Sequence, residues 1–176
     1  TDGAGDCQRW TDNVGHYLIN DVAMEIGGQL IDKQYGDWLE IWAQLSVPAG
    51  QMIGYREMIG QDPRNPLGMN TGLQRDLRGT IASRTIFVPL QFWFCRNIGL
   101  SLPLISLQYH EVKIHINIST FSDMFVNRAA TNSAGTAITS VSLSDTTLWI
   151  DYIYLDTDER RRFAQVSHEY LIEQVQ

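Results

Sequence analysis

The sequence predicts an all-β protein, an antiparallel β-sandwich with one or two short helices. Three observations carry this. Apolar and polar residues alternate with period two over several strand-length runs. No rhythm of strand, long helix, strand appears, so a parallel sheet is not expected. Of the 176 residues, 44% are hydrophobic, enough for one domain with a sizeable core.

From the N-terminus, "YLINDVAMEI" (17–26) reads as a strand with Val22, Met24 and Ile26 turned inward. Gly27-Gly28 suits a turn or bulge, after which "QLIDKQY" continues the pattern. In "GDWLEIWAQLSVP" (36–48), Trp38, Ile41, Trp42 and Leu45 recur at helical spacing. Asp37 is placed as the N-cap, Glu40 as its capping-box partner, and Pro48 ends the helix. This helix is expected to plug one end of a sheet.

Residues 60–84, rich in Gly, Pro, Asn and Arg, form a long loop. "TIFVPLQFWF" (85–94) is read as a strand covered on both sides, with a bulge or edge at Pro89. "EVKIHINI" (111–118) alternates most cleanly: Val112, Ile114, Ile116 and Ile118 inward; Glu111, Lys113, His115 and Asn117 outward. Residues 127–146 are a second long loop, small and polar. "TLWIDYIYL" (147–155) is a further strand, apolar or aromatic on both faces. Asp156 or Asp158 caps a short helix carrying Arg160, Arg161 and Arg162. Phe163, Val166 and Tyr170 have the spacing to prolong it, whereas "EYLIEQVQ" reads equally well as a new strand.

Net charge is −7 and the isoelectric point about 4.9. No basic face is visible, which disfavours direct nucleic-acid contact. No run approaches the roughly 20 apolar residues a membrane-spanning helix needs, and the start lacks the pattern of a signal peptide. Cys7 and Cys95 make no disulfide framework, so a reducing compartment is expected. Beginning at Thr1 without an initiator Met, the chain is expected to be a segment of a longer product.

Cys95, beside Arg96 and fifteen positions before His110, raises the possibility of a thiolate and its base. The alternative is a small buried hydrophobe ending an aromatic strand. That reading is preferred, because free cysteine is among the most buried residue types and no Gly-rich turn presents this one. His110 and His115 are five apart, an odd spacing that puts them on opposite faces of one strand and prevents joint chelation. His110 is expected to hydrogen-bond at a strand entrance, His115 to lie on the surface, and His16 and His168 to stand alone. Asp32, Asp37, Glu40 and Glu57 include no pair that spacing marks as catalytic. No phosphate loop or nucleotide fingerprint is present. Neither a catalytic group, a cofactor nor a metal is therefore expected. Asn117-Ile118-Ser119 is a glycosylation sequon, so Asn117 is a candidate acceptor. The load of five Trp, seven Tyr and six Phe, together with several strands apolar on both faces, suggests a domain walled in by neighbours.

Three stretches, "EIGGQLIDKQYGDWLEIWAQLSVPAG" (25–50), "VPLQFWFCRNIGLSLPLISLQYHEVKIHI" (88–116) and "YIYLDTDERRRFAQVSHEYLIEQVQ" (152–176), closely resemble the major capsid protein of nucleocytoplasmic large DNA viruses, of iridovirus, phycodnavirus and giant-virus type. The resemblance implies a double jelly roll that trimerises into pseudo-hexagonal capsomers tiling an icosahedral shell. Residues 1–155 would be the N-terminal jelly roll, lacking its first strands. Residues 156–176 would be the linker helix and the first strand of the second jelly roll, with 169–176 extended. The implied partners are copies of itself in a homotrimer, neighbouring capsomers, and minor capsid and penton proteins. The implied place is the virion capsid, assembled in the host cytoplasm. Alone, the chain is expected to expose unpaired strand edges and to aggregate. A jelly-roll carbohydrate-binding module is the rival reading, drawing on exposed aromatics and polar loops.

Overall fold

The computed structural model describes residues 7–61, 85–120, 124–128 and 142–174. Most of both long loops, at 62–84 and 129–141, lies outside the described residues. In chain order the elements are β1 (Cys7–Trp10), α1 (Val14–Leu18), β2 (Ile19–Ile26), β3 (Gln29–Tyr35), α2 (Gly36–Ser46), α3 (Ala49–Met58), α4 (Trp93–Arg96), β4 (Val112–Ile118), β5 (Phe125–Arg128) and α5 (Thr157–Gln165), with a 3-10 turn at Ile98–Leu100. Helical segments are more numerous than the one or two expected.

β2, β3 and β4 form a sheet of order β3-β2-β4. The two-residue turn Gly27-Gly28 makes β2 and β3 antiparallel. Gly27 has φ +59°, and a Cβ there would meet His110 Nδ1 at 2.7 Å, so this turn excludes a side chain twice over. β4 runs against β2 as well: Gly27 N–H donates to Glu111 O at one end and Ser119 N–H to Leu18 O at the other, both at 2.9 Å. As the alternation predicts, Val22 and Met24 are fully buried and Ile26 half-buried. On β4 the alternation holds only partly: Val112 and Ile114 are half-buried, while Ile116 and Ile118 are exposed.

The chain divides into two compact units. The first contains Thr1–Val22, Tyr35–Pro89 and Ile116–Val141. In it β1 pairs antiparallel with β5, from Cys7 opposite Arg128 to Trp10 opposite Phe125. Its core holds Val14, Ile19, Val22, Leu39, Ala43, Ile59 and Met124. Helix α2 forms where its spacing predicts, but it turns a different face inward. Gly36, Leu39 and Ala43 are buried, whereas Ile41 is 51% and Leu45 76% exposed. The small residues win because they permit close approach: a Cβ on Gly36 would collide with the carbonyl oxygens of Ile19 and His16. The expected cap also fails. Tyr35 occupies the N-cap position without a side-chain bond, and Asp37 lies in the first turn. Pro48 separates α2 from α3, a helix with no buried residue that the sequence pattern does not reveal.

The second unit contains Ala23–Gln34, Leu90–His115 and Ser142–Gln176. Ala23, Met24, Phe92 and Trp93 are buried in it. The strand expected over 85–94 is absent; residues 85–92 form no ladder and Trp93–Arg96 is one helical turn. Pro89 cannot donate a ladder hydrogen bond, which breaks the run where the sequence warned. The strand expected over 147–155 is not formed either, because no described strand pairs with it. Helix α5 starts at its predicted cap: Asp156 Oδ1 accepts from Glu159 N–H at 2.8 Å. It stops at Gln165, and 167–174 has no helical turn, as the resemblance rather than the periodicity implied.

Candidate functional site

A buried polar network lies in the first unit. His16, placed by α1, is 1% exposed. Its Nδ1 lies 2.6 Å from Glu40 Oε2, and its Nε2 lies 3.1 Å from the Tyr55 hydroxyl. Asn13 Nδ2 donates to both Glu40 oxygens, at 3.0 and 3.1 Å, and Gln44 Nε2 donates to Oε1 at 2.9 Å. Asn13 reaches this position through a left-handed backbone (φ 52°, ψ 43°) immediately before α1, a conformation asparagine tolerates better than most residues. The network ties α1, α2 and α3 together. The His16 hydrogen bond leads the influences that hold the Glu40 carboxyl below its ordinary value, outweighing desolvation. An ionised carboxylate already accepting from three side chains is a clamp and is poorly placed to serve as a general base.

A cavity of about 180 Å3 opens beside the network, lined by Tyr17, Tyr35, Asp37, Glu40 and Ser119 among others. Two of the carboxylates that the sequence offered, Asp37 and Glu40, therefore meet at one site, and neither caps α2. His16 is no isolated histidine. Local spacing could not reveal this, since its partners lie 24 and 39 positions away.

The remaining candidates do not converge. Cys95 is exposed, on α4, which corrects the expectation of a buried residue ending a strand. Desolvation nevertheless pushes its thiol upward, against smaller opposing pulls from the Phe92 backbone and the Arg96 charge, so it is no activated thiolate. His110 is exposed in a turn, its N–H donating to Leu107 O at 2.8 Å, and no hydrogen bond joins it to Cys95. His115 Nε2 pairs with Glu25 Oε2 on the neighbouring strand at 3.0 Å. His168 stacks on Phe163, ring centroids 4.9 Å apart. Asp32 is buried and accepts from Gln34 Nε2 at 2.9 Å; Glu57 is exposed. Among the described residues no group of three His, Cys, Asp or Glu is arranged to hold a metal. Asn117 Nδ2, the atom a glycan would occupy, donates to the buried Asp21 carboxylate at 2.9 Å.

Two features of the second unit are aromatic. Phe92 stacks on Phe94 (5.4 Å, 12°), and Trp93 meets Phe94 edge-on at 5.0 Å and Tyr170 edge-on at 6.4 Å. Of the two faces read from the sequence, Phe92 and Trp93 are buried while Phe87 is exposed. The other feature is the stretch 142–154, which has no ladder partner among the described residues. It exposes Leu148, Trp149 (82%), Ile150, Tyr152, Ile153 and Tyr154 (91%), an apolar run interrupted only by Asp151, of the kind that marks an interaction site.

Comparison with known proteins gives a consistent result. Residues 1–156 match the family model described as the major capsid protein N-terminus. The chain is 52% identical to the major capsid protein of Pyramimonas orientalis virus, over 92% of this chain and 36% of that protein. It is 47% identical to that of Phaeocystis pouchetii virus, over 96% of this chain and 36% of that protein. The solved structure of VP54 from the virus PBCV-1 superposes with a TM-score of 0.74 at 37% identity, covering 98% of this chain and 37% of that one. The chain thus spans about a third of the length of these relatives.

Proposed function

Because this chain belongs to the major capsid protein family, matching its N-terminal model over residues 1–156, we propose that it is a structural subunit of a large DNA virus shell and catalyses no reaction. The observation that carries the reading is the exposed run Leu148–Tyr154, strand-like in pattern, apolar on both faces and without a ladder partner among the described residues. Such a segment is stable only when a neighbouring strand or subunit covers it.

In this reading the whole product is a double jelly roll. Residues 1–155 supply the N-terminal barrel, and 156–176 the linker helix and first strand of the second. Three subunits make a pseudo-hexagonal capsomer. Capsomers meet one another and the minor capsid and penton proteins in the virion capsid, after assembly in the host cytoplasm. Neither metal nor cofactor takes part. The test is the mass in solution of the full-length product. A stable trimer is expected; a monodisperse monomer that binds glycans would instead favour the carbohydrate-binding reading and overturn this one. We also propose Asn117 as a glycan acceptor, from its sequon and its exposed place on β4; a glycan there takes the Nδ2 that otherwise donates to Asp21. Glycosidase treatment of virion-derived protein is expected to lower its mass, and an unchanged mass would leave Asn117 solely as the partner of Asp21.

A further inference from the structure

Helix α5 has no buried residue, so core packing does not hold it. Its end is nevertheless fixed at one atom. The Phe163 carbonyl accepts from Ser106 Oγ at 2.7 Å and from His168 Nε2 at 3.1 Å, while the His168 ring stacks on Phe163. Beyond the helix the described chain has no helical turn or strand through 174, and three side chains attach it to separate parts of the second unit. Tyr170 lies edge-on to Trp93. Glu173 Oε2 lies 3.4 Å from Arg96 Nη1. The Gln174 amide donates to the carbonyl of Ile31 on β3, an edge strand of its sheet.

The Trp93 contact has one unusual property. The indole is 1% exposed, and neither its N–H nor the Tyr170 hydroxyl has a partner at full hydrogen-bond geometry. Burial pushes the Tyr170 hydroxyl upward, with a smaller opposing influence from the neighbouring Trp93 indole. Buried polar groups are rarely left without partners. A Tyr170 ring moved away would uncover the buried Trp93 indole to water, so this edge-on pairing resists release.

We propose that Trp93, Arg96 and the Ile31 edge of β3 form a receptor surface for an extended peptide segment, occupied here by residues 170–174 of the same chain. The surface reads an aromatic residue, then an acidic one at the third position onward and an amide at the fourth, a spacing met by Tyr170, Glu173 and Gln174. The region after α5 is accordingly an arm clamped to this unit through residues 170–174. The contacts lie within the chain; on the capsid reading, residues 170–174 are the start of the strand that opens the second jelly roll, held at that start to this unit.

The test is cleavage of the full-length product by a Glu-specific protease, timed at the Glu169–Tyr170 bond, because a docked segment is cut only through its open population. Tyr170→Ala is expected to speed this cleavage by about tenfold, and Arg96→Glu by about threefold, the scale of an exposed ion pair. The charge exchange Arg96→Glu with Glu173→Arg is expected to restore the slow rate, which a general loss of folding would not permit. The proposal is overturned if the unaltered protein is cut as fast as Tyr170→Ala, or if the exchange leaves cleavage fast. Trimer mass, measured on the same samples, reports on the capsid reading separately.

Discussion

Glu40 contributes an acid-sensitive clamp to the first unit. Its carboxyl is held below the ordinary value of 4.5, led by the His16 hydrogen bond. A carboxyl depressed in the folded state adds stability that is fully present above the unfolded value and is lost as pH falls through the folded one. Urea midpoints measured from pH 3 to 8 should therefore fall below about pH 4.5 for the natural chain. Glu40→Gln should narrow its stability gap to the natural chain over that same range; a gap independent of pH would refute the clamp. Replacement by Ala leaves His16, buried to 1% exposure, without a carboxylate partner. The expected cost is about 2 kcal/mol. Gly27 is the other decisive residue. With φ +59° and His110 above it, Gly27→Ala should cost about 2 kcal/mol by chemical denaturation. Gly28→Ala, where a Cβ meets nothing within 4 Å, should cost only the backbone strain of about 1 kcal/mol.

Among the elements, α2 shows how far a periodic pattern reaches. Helix formation follows from spacing alone, but two overlapping stripes share that spacing, and the sequence pattern favours the larger, aromatic one. Truncating the buried Leu39 to Ala should cost about 3 kcal/mol. Truncating Leu45, which is 76% exposed, should change stability by no more than about 0.5 kcal/mol. Thermal unfolding of the two variants separates the stripes. β2, β3, β4 and the start of α5 were legible because their signals are local: alternation, a Gly-Gly turn and an aspartate cap. α3 was not legible, since it buries nothing and carries Gly50 and Gly54. Trp93 and Phe94, the end of the strand expected over 85–94, instead open one helical turn, because their aromatic run suits either state and Pro89 removes a ladder donor.

At the scale of the whole molecule, the exposed run 148–154 and the stripe of Ile41 and Leu45 are surfaces that a larger assembly would cover. If the full-length product trimerises as proposed, Trp149→Ala should weaken that association by about 2 kcal/mol or more, as truncation of a buried interfacial tryptophan does. Far-UV circular dichroism of the same variant should be unchanged, because Trp149 is 82% exposed in the folded chain. A trimer of unaltered affinity would place the contact elsewhere.

By itself the sequence determined which stretches alternate, where chains turn, where α5 begins, and the three long motifs that resemble capsid proteins. These are properties of neighbours in sequence, and period, backbone φ and capping chemistry act over a few residues. The tertiary structure alone decided that α2 turns Leu39 inward and that Glu40 serves His16. It also decided that Tyr170 and Glu173 lie on Trp93 and Arg96. Each of these joins residues from about two dozen to almost eighty positions apart, or depends on which face finds room to pack. No local rule contains that information, and the strand at 147–155 marks the limit from the other side. Its pattern is plain in the sequence, yet a strand exists only where another strand accepts its hydrogen bonds.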